Sequence, residues 1–348
     1  MNAIKKVAVI GHFGGTKNFL DGQTVKTKNF VSALRANSNW EVECIDTFYK
    51  KTNPIKLFKT IKRACKEYRD IFVMPSSRGL SLIMIILRRY IKTRNLRVHH
   101  IVIGGMFPSY IKKHKNVLKT ERLFTTIWIE TSKLRNAMNE LGFNNVFLLP
   151  NFKMLEPLSV PVPYDSKVFR FCMFSRIMPE KGVELAINSV KTFHQNGKQI
   201  SLDIFGPIDE KYKETFLNLV EENEEFVKYK GVIDQSAILE TLKEYYMLLF
   251  PTYWRGEGFP GTILDAFSAG IPVIASDWNC NTEIVTNMVT GLAYPSSSFK
   301  TLDEAINFSL SNDKIIVSMR EKCLKEYKKY LPKENIKKVI DFIQSLDK

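Results

Sequence analysis

Residues 250–283 read FPTYWRGEGFPGTILDAFSAGIPVIASDWNCNTE. An apolar run ends at the start of this stretch, a glycine-rich turn follows, and residues 261–269 then have a helical pattern. A second apolar run, residues 271–275, comes directly after that helix. A strand, a helix and a second strand in quick succession are typical of the units that build a parallel sheet covered by helices.

The same alternation continues through the rest of the chain. Short runs rich in β-formers lie at residues 7–10, 40–45, 71–74, 98–103, 123–129, 146–149, 169–174, 201–205, 226–230 and 247–250. Helical patterns lie near residues 23–36, 55–67, 80–92, 109–119, 132–141, 183–195, 211–222 and 237–244, and again over 303–348. Several strands are continuously apolar, as in parallel sheets that are buried on both faces. The pattern therefore predicts doubly wound α/β domains.

A proline-rich segment, MLEPLSVPVPYD at residues 154–165, interrupts the alternation and reads as a linker. We predict two Rossmann-like domains, residues 1–160 and residues 161–348. Pro332 breaks the last helical pattern, and we expect a final helix at about residues 333–346 that packs back on the N-terminal domain. Ligands of such sheets bind at the carboxyl ends of the strands, so a cleft between the two domains is the expected site.

The charge of the chain is divided unevenly. Residues 1–150 contain 27 Lys and Arg against 9 Asp and Glu, whereas residues 151–348 contain 24 against 27. We therefore expect the first half to face an anionic partner, which is a membrane surface, nucleic acid or a phosphorylated substrate.

Cysteine usage and hydropathy limit the class of protein. The five cysteines are scattered and include no Cys-x-x-Cys pair, which predicts a reducing compartment, no disulfide framework and no zinc site. No segment approaches the ~18 apolar residues of a membrane span, and the N-terminal apolar run is too short for a signal peptide. These features lead us to expect a cytoplasmic location.

Two carboxylates stand out in the first quoted stretch. Glu257 lies in the glycine-rich turn, and Asp265 lies about one turn into the following helix. An ionised carboxylate accepts hydrogen bonds from neighbouring hydroxyls, and a helix that begins near Gly261 offers unpaired amides to a phosphate. The turn therefore suits a sugar attached to a diphosphate, although a turn with solvated acids has the same composition.

Two further turns follow strands of the second half. SRIMPEKG at residues 175–182 places Arg176 at a strand end and Lys181 at the start of the next helix, where both can neutralise a diphosphate. The alternative is a surface pair that flanks an ordinary turn. Phe205-Gly206-Pro207 is a strand-end turn of the kind that borders a nucleobase, or a turn without a ligand.

Four motifs in this order and spacing resemble the retaining GT-B glycosyltransferases of family 4: SRIMPEKG, FGP, KGVID and EGFPGTILDAFSAGIPVIASD. NVFLLPNF at residues 145–152 is similar to the family's exit from its N-terminal domain. The strong similarity covers residues 168–295, approximately. The resemblance implies a GT-B fold, in which two Rossmann-like domains face a cleft.

The resemblance also implies roles for individual residues. Arg176 and Lys181 match the pair that neutralises the donor diphosphate, and Glu257 matches the carboxylate that contacts the donor sugar. Asp265 matches the carboxylate that holds the ribose, where the family usually has the longer Glu. The backbone of the turn approaches the sugar and phosphates through Gly258, Phe259, Gly261, Thr262 and Ile263.

The first half departs from the family pattern in two places. We assign the glycine-rich loop to Gly22 and Gln23, which directly precede the first helix, with Gly14-Gly15 as the alternative. Many members have a His after the fourth strand, whereas this chain has Gly104-Gly105 there. His99-His100 lie at the start of that strand, so we assign them a structural role and predict neither a catalytic His nor a metal site.

The resemblance implies transfer with retention from a nucleotide-sugar, whose leaving diphosphate takes the proton of the acceptor hydroxyl. A UDP-sugar is favoured because such donors are frequent in the family, and neither a cofactor nor a metal is expected. Basic clusters near residues 56–66, 88–97 and 112–115 lie among apolar residues and suit anionic lipid headgroups. We expect a peripheral enzyme at the inner face of the membrane, acting on a glycan or lipid-linked sugar of bacterial surface polysaccharide.

Two interpretations other than a glycosyltransferase remain to be considered. The basic half alone fits a nucleic-acid-binding protein, but no recognised nucleic-acid motif is present and that class leaves residues 174–182 and 250–265 unexplained. We therefore expect no nucleic-acid partner. The second rival is a GT-B relative that only binds the nucleotide-sugar, or that epimerises or phosphorolyses the sugar, and the motifs do not separate it from a transferase.

Overall fold

The computed structural model describes residues 4–16, 19, 21–164, 167–296 and 300–348, apart from the side chains of residues 77, 78, 82 and 300. The chain divides into two units. Unit 1 contains Met1–Met154 together with Leu331–Lys348, and unit 2 contains Leu155–Tyr330. The first boundary between them therefore falls at the start of the proline-rich segment of residues 154–165.

Unit 1 is built on a parallel sheet, which has six strands in the part of the chain described. The strands are β1 (Lys6–Gly11), β2 (Glu41–Asp46), β3 (Asp70–Met74), β4 (Arg97–Ile101), β5 (Thr126–Ile129) and β6 (Val146–Leu148). Their order is β2-β1-β3-β4-β5-β6, and neighbouring strands are parallel. Every residue of β3 and β4 is buried, as expected of strands covered on both faces.

Helices connect these strands. They are α1 (Gly22–Asn37), α2 (Pro54–Glu67), α3 (Ser77–Arg94), α4 (Phe107–Lys113), α5 (Lys115–Glu121) and α6 (Ser132–Glu140). Side chains that accept backbone N–H bonds mark where α1, α2, α3 and α6 begin, namely those of Asp21, Asn53, Ser76 and Thr131. The single helix predicted near residues 109–119 is instead two short helices that meet at His114.

Unit 2 repeats this architecture with its own parallel sheet, again of six strands among the described residues. The strands are β7 (Phe169–Phe174), β8 (Ile200–Phe205), β9 (Val227–Tyr229), β10 (Met247–Phe250), β11 (Val273–Ser276) and β12 (Gly291–Tyr294). Their order is β12-β11-β10-β7-β8-β9. The pattern of the sequence did not predict β12, which has only four residues and begins with a glycine.

The helices of unit 2 are α7 (Val183–Gln195), α8 (Lys213–Glu221), α9 (Ile238–Leu242), α10 (Gly261–Ser268), α11 (Lys300–Ser311) and α12 (Asp313–Tyr327). The core of this unit joins apolar residues of the sheet to Val183, Ile187 and Val190 of α7 and to Leu302 and Ile306 of α11. α7 and α11 therefore both cover the sheet with apolar side chains.

The last helix, α13 (Pro332–Ser345), belongs to unit 1. Its buried Ile336, Val339 and Ile343 share one core cluster with Phe30 and Leu34 of α1. The predicted return of the final helix to the N-terminal part of the chain is confirmed. The apolar spacing of α13 explains the result, because residues three or four apart face the same side of a helix.

Charged side chains tie the residues after α13 to the first residues of β3 and β4. Arg97 donates from Nε and Nη2 to the two carboxylate oxygens of Asp70, at 2.7 and 2.5 Å, and from Nη2 to Asp347 at 2.6 Å. His99 Nε2 lies 3.0 Å and Lys5 Nζ 2.8 Å from the same Asp70 carboxylate. Burial acts to raise the pKa of Asp70, but hydrogen bonds from His99, Arg97 and Lys5 outweigh it and hold that pKa well below its usual range.

Asp70→Asn should lower the free energy of unfolding by about 3 to 5 kcal/mol, because it removes the buried carboxylate that Arg97, His99 and Lys5 share and leaves Arg97 only the more exposed carboxylate of Asp347. A lowered pKa stabilises the folded state above the unfolded value of ~3.9, and this contribution is lost as the pH falls towards the folded value. The difference between variant and wild type should therefore shrink in acid. Urea unfolding followed by circular dichroism at neutral and acid pH measures both effects.

Glu41→Gln is the matched control for Asp70→Asn. It makes the same carboxylate-to-amide change in the exposed pair with Lys6, which has a separation of 2.8 Å. We expect it to cost less than about 1 kcal/mol, because exposed pairs are screened by water. An Asp70→Asn effect no larger than that of the control contradicts the role given to the buried network.

Candidate active site

The order of the unit 2 strands reverses direction between β7 and β10. Along the sheet, β8 and β9 lie beyond β7, whereas β11 and β12 lie beyond β10 on the other side. At such a switch point the loops that leave two neighbouring strands diverge, and a ligand crevice opens at their carboxyl ends. The loops here are residues 175–182 and residues 251–260, which the motifs had singled out.

Backbone contacts hold these two loops against each other. Tyr253 N donates to Glu180 O at 2.9 Å. Gly182 has a φ of +75°, and a Cβ on it would lie 2.2 Å from Pro251 O. Only glycine therefore fits between the loops. Because it has no side chain, the start of α7 can lie directly beside the end of β10.

This close approach joins two of the residues predicted to act on the donor. Lys181 Nζ lies 2.5 Å from Glu257 Oε2, and the two side chains are 11% and 7% exposed. Thr252 Oγ1 lies 3.1 Å from the same carboxylate oxygen. The ammonium of Lys181 also lies 4.8 Å from the centroid of the Trp254 ring, within cation–π range. A paired cation and carboxylate therefore lie at the switch point of unit 2.

Residues beyond the turn hold Glu257 in place. Trp278 Nε1 donates to Trp254 O at 2.8 Å, and Asn279 Nδ2 donates to Glu257 O at 3.2 Å. Gly256 lies against the indole of Trp254, since a Cβ on it would be 2.6 Å from that ring. No motif singled out Trp278 or Asn279, because the spacing of side chains in a loop does not reveal which carbonyl they reach.

α10 begins at Gly261 without a side-chain cap, because its N-cap residue is Pro260. Amides at an uncapped helix start are suited to bind an anion. Thr262 Oγ1 donates to a carbonyl at the end of β7 at 2.7 Å. Within the stretch from Gly258 to Ile263, three of the predicted donor-binding residues are buried, namely Gly258, Phe259 and Ile263. Gly261 and Thr262, at the start of α10, are partly exposed, so the start of this helix is the part of the segment that a ligand can reach.

Other predicted donor-binding residues of unit 2 lie in different surroundings. Arg176 is exposed, two residues beyond β7. Asp265 is 2% exposed in α10, and its charge adds to the effect of burial in raising the pKa of Tyr327. Gly206 has a φ of +132°, and a Cβ on it would lie 1.8 Å from Ser175 O. Gly206 therefore lets the ends of β7 and β8 approach, a packing role that its motif did not show.

The two candidate glycine loops of unit 1 differ in how their backbone is used. The Gly14-Gly15 loop is held by Asp46, whose carboxylate accepts from Phe13 N at 2.9 Å and from Gly15 N at 2.7 Å. Gly22 begins α1, and a Cβ on it would meet nothing within 4 Å. Gln23 Nε2 donates to a carbonyl at the end of β3 at 3.4 Å. The assignment of the donor loop to Gly22 and Gln23 stays a prediction.

Neither histidine of β4 is exposed. Gly104 follows the strand with a φ of +84°, and His99 and His100 are both buried. His100 Nδ1 lies 2.6 Å from Glu121 Oε1. Across the described residues, no group of three or more His, Cys, Asp or Glu side chains is placed to hold a metal ion. The two histidines serve unit 1 as buried hydrogen-bond partners.

A model of the family described as Glycosyl transferases group 1 matches residues 156–330, half of the chain. The chain belongs to this family. The matched region is almost the whole of unit 2 and includes Arg176, Lys181, Glu257 and Asp265. The group 1 assignment therefore rests on the unit that contains the Lys181–Glu257 pair.

Two named relatives share part of this group 1 sequence. The amylovoran biosynthesis glycosyltransferase AmsK of Erwinia amylovora is 22% identical over 202 residues, which are 55% of this chain and 47% of the relative. The N,N'-diacetylbacillosaminyl-diphospho-undecaprenol alpha-1,3-N-acetylgalactosaminyltransferase of Campylobacter jejuni is 28% identical over 104 residues, which are 30% of this chain and 27% of the relative. The chain thus spans half or less of the length of these relatives.

Solved structures share the fold over nearly the whole chain. HepE of Anabaena, in complex with UDP, has a TM-score of 0.75 at 13% identity and covers 98% of this chain and 100% of its own. Sucrose-phosphate synthase of Thermosynechococcus elongatus has a TM-score of 0.77 at 14% identity, with 98% and 99% covered. Together with the two parallel sheets, these similarities confirm the predicted GT-B fold.

Gly206→Ala should destabilise this group 1 protein more than Gly197→Ala does. Both glycines have positive φ, which costs a non-glycine residue about 1 to 3 kcal/mol, but nothing lies within 4 Å of a Cβ on Gly197. A Cβ on Gly206 would overlap Ser175 O and push the ends of β7 and β8 apart. Thermal unfolding of both variants measures the difference, and equal losses would show that the close approach is unimportant.

Proposed function

We propose that this group 1 protein is a retaining glycosyltransferase of family 4 that moves a hexose from a nucleoside-diphosphate sugar, with UDP favoured, to a glycan acceptor. The Lys181–Glu257 pair carries the proposal, because it sets a cation for the diphosphate beside a carboxylate for the sugar hydroxyls. The UDP bound to HepE supports a UDP-sugar donor. The names of the Erwinia and Campylobacter relatives support a role in bacterial glycan assembly.

Donor binding in this proposal exchanges the partners of the ion pair. The diphosphate takes the Lys181 ammonium, and Glu257 is released to accept hydrogen bonds from the transferred sugar. Arg176 adds a planar cation for a second phosphate oxygen, and the uncapped start of α10 adds backbone amides. Asp265 is assigned to the ribose. Negative charge that grows on the leaving diphosphate then meets cations and amides of the protein itself, without a metal.

Lys181→Ala and Arg176→Ala should each lower kcat/KM by about 10²- to 10³-fold, as removal of one oxyanion donor does, or ~2.7–4 kcal/mol of transition-state stabilisation. Glu257→Gln should also lower kcat, because an amide accepts fewer hydrogen bonds from sugar hydroxyls. The measurement is UDP release from a panel of UDP-hexoses and UDP-N-acetylhexosamines, with synthetic lipid-diphosphate-linked sugars as acceptors. The anomeric proton coupling of the product, compared with that of the donor, tests retention.

Lys198→Ala is the matched control, because Lys198 is exposed in the loop between α7 and β8. Turnover near the wild-type value in both Lys181→Ala and Arg176→Ala would remove these residues from the donor site. UDP release that requires an acceptor supports transfer. Donor binding without UDP release supports a binding protein instead, and conversion of the donor sugar without an acceptor supports an epimerase or phosphorylase.

We also propose that unit 1 binds an anionic membrane surface at the inner face and that the acceptor is a lipid-linked sugar. One face of α2 buries Leu57 and Ile61, while four of its lysines are exposed: Lys56, Lys59, Lys62 and Lys66. Ile55 at the start of α2 is 71% exposed, and Ile85 of the neighbouring α3 is 81% exposed. Exposed apolar side chains among cations suit the headgroup region of a bilayer. None of the helices in the described part of the chain is long and apolar enough to span a membrane.

Replacement of Lys56, Lys59, Lys62 and Lys66 by Gln should weaken binding to phosphatidylglycerol-containing vesicles by at least about tenfold, since each basic residue near such a surface contributes ~1 kcal/mol. Arg63 is left unchanged because it pairs with Glu43 and Glu67. Vesicle sedimentation at low and high salt measures binding. The control changes four exposed lysines of α12 and its end in unit 2: Lys314, Lys322, Lys325 and Lys328. Equal weakening by this control would show that net charge, and not α2, is responsible.

A further inference from the structure

A groove in unit 2 touches the loops after β7 and β10, but neither Lys181 nor Glu257 is among the described residues that line it. Its volume is about 560 Å³, within the ~300–1,000 Å³ of ligand pockets. We call it the α7 groove. The polar side chains that line it are those of Glu184, Asn188, Ser189 and Thr192 of α7, Tyr253 of the loop after β10, and Asp303 of α11. All of these residues belong to unit 2.

α7 contributes a continuous line of polar side chains to this groove. Glu184, Asn188 and Thr192 are four residues apart, so they lie one above another on the same face of the helix. The line extends for about 12 Å along the helix axis. Because this is longer than a single sugar ring or phosphate group, the α7 groove suits an extended ligand.

Two polar side chains of the α7 groove have no hydrogen-bond partner within the described part of the chain. Ser189 is only 3% exposed, and its hydroxyl makes no hydrogen bond there. The exposed side-chain amide of Asn188 makes none either. Glu184, in contrast, is held in place because its Oε1 accepts from Tyr212 Oη at 2.8 Å. A buried hydroxyl without a partner is unfavourable, so Ser189 indicates that a ligand binds in the groove.

The ring of Tyr253 adds an aromatic surface to the α7 groove. Its backbone is fixed, because Tyr253 N donates to Glu180 O at 2.9 Å, while the residue is 43% exposed. Burial and the charges of Glu180 and Glu184 raise the pKa of its hydroxyl, which therefore stays protonated and can donate. Tyr253 thus offers a ligand an apolar face and an O–H group together.

The composition of the α7 groove selects a neutral ligand that carries hydroxyl groups. Glu184 and Asp303 repel an anion, and no Lys, Arg or His is among the described residues of its lining. An ammonium group only donates, so it would leave the N–H groups of Asn188 without an acceptor. No three His, Cys, Asp or Glu side chains of the described residues are placed to hold a metal ion. Sugar hydroxyls both donate and accept, and the C–H face of a sugar ring can lie on Tyr253.

We propose that the α7 groove binds a saccharide chain, at a site separate from that of the donor. Sugar hydroxyls donate to Glu184 and Asp303 and accept from Asn188 and Ser189, while one sugar ring lies on Tyr253. Saccharide binding of this kind does not require transferase activity. Only the identity of the natural ligand rests on the function proposed above, under which it is a stretch of the glycan that the enzyme builds.

Saturation-transfer NMR with maltotetraose, cellotetraose and chitotetraose tests the site without any nucleotide. We expect at least one tetrasaccharide to bind more tightly than its monosaccharide, because the polar line of α7 is longer than one ring. Asn188→Ala should weaken this binding by about twofold to tenfold, as loss of one hydrogen bond does. Tyr253→Ala should weaken it further, whereas Tyr253→Phe keeps the ring and should retain more of the affinity.

Asn218→Ala is the matched control for Asn188→Ala. Asn218 is an exposed residue of α8 whose side chain makes no hydrogen bond to the described residues, so both variants remove an unbonded amide from a helix. Asn218→Ala should leave saccharide binding unchanged. Glu257→Gln alters the proposed sugar contact of the donor site and should also leave it unchanged. Loss of saccharide binding in Glu257→Gln would place the saccharide at the donor site and overturn the inference.

Other results also overturn the inference. One is a wild-type protein that binds none of these saccharides, and another is binding that Asn188→Ala and Tyr253→Ala leave intact. Spermidine and inorganic phosphate are tested in parallel, and binding of either one in place of the saccharides would assign the α7 groove to another class of ligand. Absence of sugar transfer from every donor overturns the proposed function alone, because saccharide binding is measured without a donor.

Discussion

Lys181 and Glu257 form an ion pair between two largely buried side chains. Either charge alone would be unfavourable in this environment, and the fold of unit 2 holds the two together. Removing one partner of such a pair costs about 3 to 5 kcal/mol, because the other is left buried and unpaired. The pair forms only if the loops after β7 and β10 touch, and Gly182 permits this next to Pro251. The strand order brings those loops side by side. The ion pair therefore depends on both the strand order of the sheet and Gly182.

Unit 1 also forms ion pairs between buried charged side chains of different secondary-structure elements. At the carboxyl ends of its strands, Lys26 of α1 lies 2.6 Å from Glu130 and 3.1 Å from Val102 O, with both side chains buried. At the opposite ends of the strands, Asp70 joins β3 to β4 and to the residues after α13. The second network holds the fold together where no ligand is expected. The carboxyl ends of the strands, in contrast, have the buried Lys26–Glu130 pair close to the start of α1, where a Cβ on Gly22 would meet no atom within 4 Å.

The sequence predicted the fold because apolar runs and turns alternate over nearly the whole chain, whereas short elements carry too little pattern. The sequence pattern did not predict β12, which has only four residues, or the break at His114 between α4 and α5. Motif spacing also found both residues of the Lys181–Glu257 pair. These two residues are 76 positions apart in the sequence, and their contact depends on the strand order, which the motifs do not specify.

The Lys181–Glu257 pair affects which ligands can bind there under the proposed function. A nucleoside diphosphate alone would take Lys181 and leave Glu257 buried without a cation, whereas a free sugar would offer hydroxyls to Glu257 and leave Lys181 without an anion. Only an intact nucleotide-sugar replaces both partners at once. After transfer the sugar has left with the acceptor, and Glu257 competes with the diphosphate for the same ammonium. Under the proposed function, the Lys181–Glu257 ion pair therefore favours binding of the whole donor and promotes release of the nucleotide after transfer.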